Sequence, residues 1–183
     1  MTYTVHNEET APAAARATLA GAKKAFGFVP NLLGVMAEAP ALVNGYTTLS
    51  RIFEETSFSP AERQIVLLTV SYENECTYCV AAHSIVAAMQ KVPAEAVGAI
   101  RDGKPIADAK LEALRRFTAA VTRTRGRPSD DDTRAFMNAG YGKAQVLEVI
   151  LGIGVKLLSN YTNHIADTPL DAPFVSAAWS KVT

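Results

Sequence analysis

The sequence predicts an all-α protein, and three observations carry that expectation. Good helix formers fill the stretches between glycines and prolines, with alanine alone occurring 31 times. No run alternates apolar and polar residues between Asn-Gly or Asp-Gly turns, as β-hairpins do. Several segments instead repeat apolar residues at i, i+3, i+4 and i+7. The chain has 183 residues, the length of one domain able to bury a core. Hydrophobic residues make up 49% and charged residues 20%, a composition that argues against disorder. One domain over residues 1–183 is therefore expected, without repeats and without a linker.

The elements follow in order. A first helix is expected from about Thr10, with Pro12 near its start, to Phe26, where Gly27 supplies a C′ residue. A short helix follows Asn31, and another spans about Pro40 to Glu55. Ser59-Pro60-Ala61-Glu62 is a capping box with proline at N1. It opens a helix from Ala61 to about Glu73 that is apolar nearly all round and so expected to be buried. Further helices are expected over Cys76–Gln90, Pro93–Arg101, Ala107–Arg125 and Asp130–Ala139, with Gly126 and Gly140 behind the last two. The longest runs from about Lys143 to His164, with Val146, Val149, Ile150, Ile153, Leu157 and Leu158 at helical spacing. A tail from Thr168-Pro169 to Thr183 carries the apolar anchors Phe174 and Trp179.

Composition also narrows the function. Eighteen basic and 18 acidic side chains give a net charge of zero, with no electrostatic footprint for nucleic acid or an anionic membrane. No signal peptide or membrane-spanning run is visible, so a cytoplasmic, reducing compartment is expected. In such a compartment a close cysteine pair is more often catalytic or metal-binding than structural. The chain has 2 cysteines, Cys76 and Cys79, with His83 four positions after the second.

If the segment is helical from Cys76, successive residues advance about 100°, so Cys79 lies about 60° and His83 about 20° from Cys76. All three side chains then share one stripe, where an imidazole can share a proton with a thiol. A helix start favours the thiolate, the form that attacks a peroxide oxygen or a disulfide sulfur. The second cysteine can then close a disulfide before irreversible oxidation. Two other uses of these residues stand beside that one. Cys76, Cys79 and His83 could be three zinc ligands, although no second Cys-x-x-Cys exists and His6 and His164 are distant in sequence. The cysteines could also be small core hydrophobes.

The segment from Ser59 through Glu73-Asn-Glu-Cys76-Thr-Tyr-Cys79-Val-Ala-Ala-His83 resembles the core of the carboxymuconolactone decarboxylase and alkylhydroperoxidase D superfamily, particularly its peroxidase-related members. Leu158-Ser-Asn-Tyr-Thr-Asn-His-Ile-Ala-Asp-Thr-Pro-Leu-Asp171 resembles their C-terminal helix and tail. The resemblance implies an alkylhydroperoxidase D-like helical fold, with the core motif over 59–90 and the C-terminal helix and tail over 143–183. It implies a homo-oligomer with helices buried between subunits. It also implies a thiol peroxidase that uses no cofactor or metal, with Cys79 peroxidatic, Cys76 resolving and His83 relaying protons. A hydroperoxide would be the substrate and an external dithiol or disulfide reductant the partner.

Two positions depart from the family pattern. Its glutamate twelve residues before the first cysteine is Gln64 here, which can hydrogen-bond but cannot exchange a proton as a carboxylate does. The histidine often found before the second cysteine is Tyr78, a poor base near pH 7. Glu62 sits about 200° around the helix from Gln64 and is accounted for by the capping box. The lactone-decarboxylating branch lacks the cysteine pair. The thinner relay leaves a thiol–disulfide sensor or exchange module, or a weak peroxidase, as the alternative, with a zinc protein third.

Asn160 and His164 share a face of the last helix with Asn163 nearby. They either add a second wall to the site or serve helix-end hydrogen bonding, which is the reading preferred from sequence. Gly152 and Gly154, each costing about 1 kcal/mol within a helix, are expected where helices approach closely.

Overall fold

The structure is a computed structural model that describes residues 2–181, so the last two residues of the predicted tail over 143–183 lie outside the described residues. Those residues form nine α-helices and no strand: α1 Ala13–Phe26, α2 Asn31–Met36, α3 Pro40–Glu54, α4 Pro60–Glu73, α5 Thr77–Met89, α6 Ala94–Arg101, α7 Ala109–Arg123, α8 Asp130–Asn138 and α9 Lys143–Ala166. A 3-10 turn at Ala172–Ala177 follows.

Local chemistry sets most of these bounds. Ser59 Oγ accepts from the Glu62 amide at 3.2 Å, while a Glu62 carboxylate oxygen accepts from the Ser59 amide at 2.8 Å, completing the capping box of α4. Ser129 and Asp132 form a second box at α8. Gly27 ends α1 with φ 83°, a left-handed conformation that glycine adopts without a Cβ penalty. The first helix starts at Ala13 rather than near Thr10. Asn7 Oδ1 accepts from the amides of Glu9 and Thr10, and this Asx turn diverts the chain before the helix can begin.

The other departure bears on function. Cys76 is not the first residue of the α5 helix but its N-cap, in extended backbone conformation. Glu75 is left-handed at φ 57°, which turns the chain out of α4 and lets the Cys76 amide donate to the Ser71 carbonyl at 2.9 Å. The Cys76 carbonyl then accepts the first bond of α5, from Val80. The stripe geometry built on a helical Cys76 is therefore replaced by a thiol at the cap and a second thiol, Cys79, in the first turn.

Two apolar clusters share the interior. The larger joins α4, α6, α7, α8 and the first half of α9 through Leu68, Val66, Leu114, Phe117, Phe136 and Val149. Phe117, Phe136 and Tyr141 stack in sequence, with ring centroids 4.4 Å apart in each pair. The smaller joins α1, α2 and α3 to the start of α5 and includes Cys76, Tyr78 and Cys79. α4 is buried from Gln64 through Ser71, as its all-round apolar pattern predicts. At Gly152 a Cβ would come within 2.7 Å of Val66 and 2.9 Å of Phe53, so glycine is what lets α9 close on α3 and α4. Gly154 has only ordinary van der Waals room around it and does not share that role.

The tail is anchored within the same chain. Phe174 packs against Phe28 and Tyr78, and the Trp179 indole N–H donates to the Arg101 carbonyl at 2.9 Å. No described helix is long and apolar enough to cross a membrane.

Candidate active site

The site lies where the start of α5 meets α3, α4 and the second half of α9. Cys79 belongs to the first turn of α5, whose unpaired backbone N–H groups and dipole stabilise negative charge. Both cysteines are free thiols and both are buried. Asn163 lies against them, its side-chain amide donating to Cys79 Sγ at 3.2 Å and approaching Cys76 Sγ at 3.7 Å.

The two thiols sit in different electrostatic surroundings. Burial alone would raise the Cys79 pKa, but a hydrogen bond from the Cys76 thiol and the charge of Lys156 outweigh it and hold Cys79 well below the ordinary thiol range. Cys76 is pushed the other way, by the hydrogen bond it donates to Cys79, by burial and by the Cys79 charge. The surroundings therefore favour negative charge on Cys79 over Cys76. Cys79 also faces a cavity of about 650 Å³, and Cys76 is not among the residues that line it.

Lys156 completes the electrostatics. It sits on α9 with 1% of its surface exposed, and its Nζ lies 3.0 Å from His83 Nε2. His83 Nδ1 in turn lies 3.0 Å from Gln64 Oε1. A carbonyl oxygen only accepts, so the imidazole proton is on Nδ1, and Nε2 presents its lone pair to the lysine. Burial first, and the lysine charge second, keep His83 far below the usual imidazole range, hence neutral. Burial acts to lower Lys156 as well, yet the charge of Cys79, with Tyr46 and Cys76 behind it, holds the ammonium above the ordinary lysine range. Tyr46 on α3 also faces the cavity, its hydroxyl pushed up by burial and pulled back by Lys156.

The residues expected from sequence divide accordingly. Cys76, Cys79, Gln64 and His83 converge, but His83 bonds to Gln64 and Lys156 rather than to a thiol. With both ring nitrogens engaged, the three-ligand zinc arrangement is not formed. Among the described residues no three histidine, cysteine, aspartate or glutamate side chains gather as metal ligands. Tyr78 is a wall. Its hydroxyl donates to Asp171 at 2.5 Å and accepts from the Leu32 amide at 3.3 Å, and burial followed by Asp171 raises its pKa, so it holds no mobile proton. Asn160 is buried and accepts from the Asn74 side chain at 2.9 Å, which ties α9 to the end of α4. His164 is exposed beside Tyr161 and does not enter the site, because it lies about 100° around α9 from the buried Asn163. Glu62 bonds to Ser59 and to the Tyr141 hydroxyl at 3.0 Å, away from the thiols.

The comparisons with known proteins fit this geometry. Residues 37–122 match the model of the carboxymuconolactone decarboxylase family, a span that includes Gln64, both cysteines and His83. The segment from α3 through most of α7 is thus similar to that family. Lys156 and Asn163 come from α9, outside the matched segment. Among solved structures, the alkylhydroperoxidase AhpD core of an uncharacterized peroxidase-related protein from Ralstonia eutropha superposes with a TM-score of 0.82 at 20% identity, covering 94% of this chain and 93% of that one. A peroxidase-related protein from a Silicibacter species gives 0.77 at 19% identity, covering 90% and 88%. A debrominase in complex with 2,3,4-tribromopyrrole gives 0.80 at 17% identity, covering 97% and 95%. These likenesses establish the AhpD-like fold. A search of curated proteins found no match.

Proposed function

We propose that this protein is a thiol-dependent peroxidase-like oxidoreductase. The observation that carries the reading is the placement of the two thiols: Cys79 lies on the cavity in the first turn of α5, where it accepts from the Asn163 amide, and Cys76 sits behind it at the helix cap. Cys79 attacks the distal oxygen of a hydroperoxide and breaks the O–O bond, giving a sulfenic acid and, after protonation, an alcohol. The Cys76 sulfur then displaces hydroxide from the Cys79 sulfenic acid, which leaves as water, and forms the disulfide. Hydroperoxide plus two thiols becomes alcohol, water and one disulfide. An external dithiol restores the pair by exchange. His83 acts as a neutral support rather than as the base, and Gln64 fixes its tautomer.

Reduced protein mixed with one equivalent of cumene hydroperoxide tests this. Two thiols should disappear per peroxide consumed, with a Cys76–Cys79 disulfide in the peptide map. Undiminished peroxide with both thiols intact contradicts the reading.

A second reading has one observation in its favour. The cavity is walled by Phe26, Leu32, Leu33, Val86 and Phe174, and its volume of about 650 Å³ can take a substituted ring. The same two electrons can replace a carbon–bromine bond by carbon–hydrogen, yielding hydrogen bromide and the disulfide. Bromide release from a bromopyrrole by the reduced protein separates the two.

We further propose that the chain assembles as a homo-oligomer through α9, where Leu147, Ile150, Tyr161 and Ile165 are exposed. Light scattering after gel filtration checks this, and a monomer contradicts it.

A further inference from the structure

Lys156 poses a charge-balance problem that the family pattern does not explain. It is the one lysine or arginine among the described residues that is buried, and no described carboxylate pairs with it. A buried ammonium is costly unless an anion lies beside it. The titratable groups that face it are His83 and Cys79 from α5, Cys76 at its cap and Tyr46 from α3. His83 cannot supply the negative charge. Gln64, which stands where the family pattern has a carboxylate, cannot supply it through His83 either. The helix start favours Cys79 over the other two.

The hydrogen bonds also have a fixed direction. Lys156 donates to His83 Nε2, and His83 Nδ1–H donates to Gln64 Oε1, where the chain ends on an acceptor. No proton can arrive from Gln64. Of the groups that line the cavity with the Cys79 sulfur, Lys156 is the cationic proton donor.

We propose that Lys156 is the catalytic acid of this site: its ammonium keeps the Cys79 sulfur ionised and protonates the alkoxide that leaves when that sulfur takes the distal peroxide oxygen. The proposal rests on the peroxidase reading above. Thiolate, hydroperoxide and ammonium become sulfenic acid, alcohol and neutral amine. The amine takes the Cys76 proton and passes it to the departing hydroxide, giving water and the disulfide. When an external dithiol reduces that disulfide, the Cys79 thiol returns a proton to the amine. The charge missing at Gln64 is thus supplied, with opposite sign and from another helix, by Lys156.

The test compares two oxidants in single-turnover reactions of the full chain. A peroxycarboxylic acid expels a carboxylate and needs no acid, whereas tert-butyl hydroperoxide expels an alkoxide and does. At a pH where absorbance at 240 nm shows the Cys79 thiolate in both proteins, Lys156→Met should slow the alkyl hydroperoxide by about a hundredfold or more. It should slow the peracid by less than about tenfold. Lys156→Arg, which keeps charge but holds its proton, should retain the thiolate absorbance at 240 nm and still lose the alkyl hydroperoxide rate. Equal losses with both oxidants, or none, overturn the proposal. Wild type supplies a check that needs no variant: it should discriminate between the oxidants far less than a small free thiolate does, and equal discrimination overturns the role. Wild type inert to both oxidants overturns the peroxidase reading itself and this role with it.

Discussion

The two halves of α9 bury one face of the same helix and use it differently. From Val149 through Gly152 to Val155 that face is apolar and packs on α4, with Gly152 admitting Val66 and Phe53. From Lys156 through Ser159 and Asn160 to Asn163 the spacing is unchanged, but every buried side chain is polar. The first half gains stability from apolar area removed from water. The second half buries hydrogen-bonding groups and a charge, which is tolerable because they meet the thiols, His83, Asn74 and one another. Stability and chemistry are thus assigned to successive turns of one element.

Experiments that break either half should therefore read out on different axes. The largest effect belongs to the thiol that the polar half serves. Cys79→Ser should abolish peroxide consumption, whereas Cys76→Ser should still react once and stall as a sulfenic acid that dimedone traps. Mass spectrometry of the trapped protein decides this. In the apolar region, Leu68→Ala opens the core where α4 meets its neighbours and should cost about 2–5 kcal/mol by denaturant titration. Molecules that remain folded should keep the wild-type reactivity of Cys79.

Asn163→Ala removes a donor to a charged sulfur, a bond worth about 1.5–3 kcal/mol. It should slow Cys79 oxidation about tenfold or more in stopped-flow mixing, with a smaller effect on stability than Leu68→Ala. Gly152→Ala makes the opposite disturbance, overpacking the apolar half by one methyl. It should lower stability by about 1–3 kcal/mol, and Phe53→Leu in the same chain should recover part of the loss.

The smallest effect sharpens the boundary at His83. Its folded pKa lies well below 6.5, so between those values the unfolded chain binds a proton that the folded chain refuses. Stability should fall as pH drops below 6.5, by up to about 1.4 kcal/mol per unit more steeply in wild type than in His83→Gln. Parallel stability–pH curves would show that the imidazole is free to protonate.

Much of this was legible in the sequence. The capping box at Ser59 and Glu62 and the glycine after Phe26 act through local chemistry, and each stands where the pattern puts it, whereas of the apolar stripe read along α9 only Val149 is fully buried and Ile150 is exposed. The pattern puts Cys76 inside a helix because nothing in the local sequence announces the left-handed Glu75, whose turn out of α4 makes Cys76 a cap. Lys156 and Tyr46 carry no signal in the sequence for a different reason. A lysine in an amphipathic helix ordinarily reads as solvent-facing, and only its register with Val149, Gly152, Ser159 and Asn163 gives the burial away. His164 shows the converse. It lies one turn beyond Asn160, but the side chain that meets the α5 start at that height is its neighbour Asn163, and His164 is left exposed.

The central claim is that this arrangement makes Cys79, and not Cys76, the ionised thiol. The most direct measurement is thiolate absorbance at 240 nm against pH in two single-cysteine proteins. In Cys76→Ser, where a hydroxyl still donates to the remaining sulfur, Cys79 should titrate well below the ordinary thiol value of about 8.5. In Cys79→Ser, where the serine hydroxyl supplies no neighbouring anion, Cys76 should stay protonated past neutrality. Titration of Cys79 at or above the ordinary value, or ionisation of Cys76 ahead of it, would contradict the account.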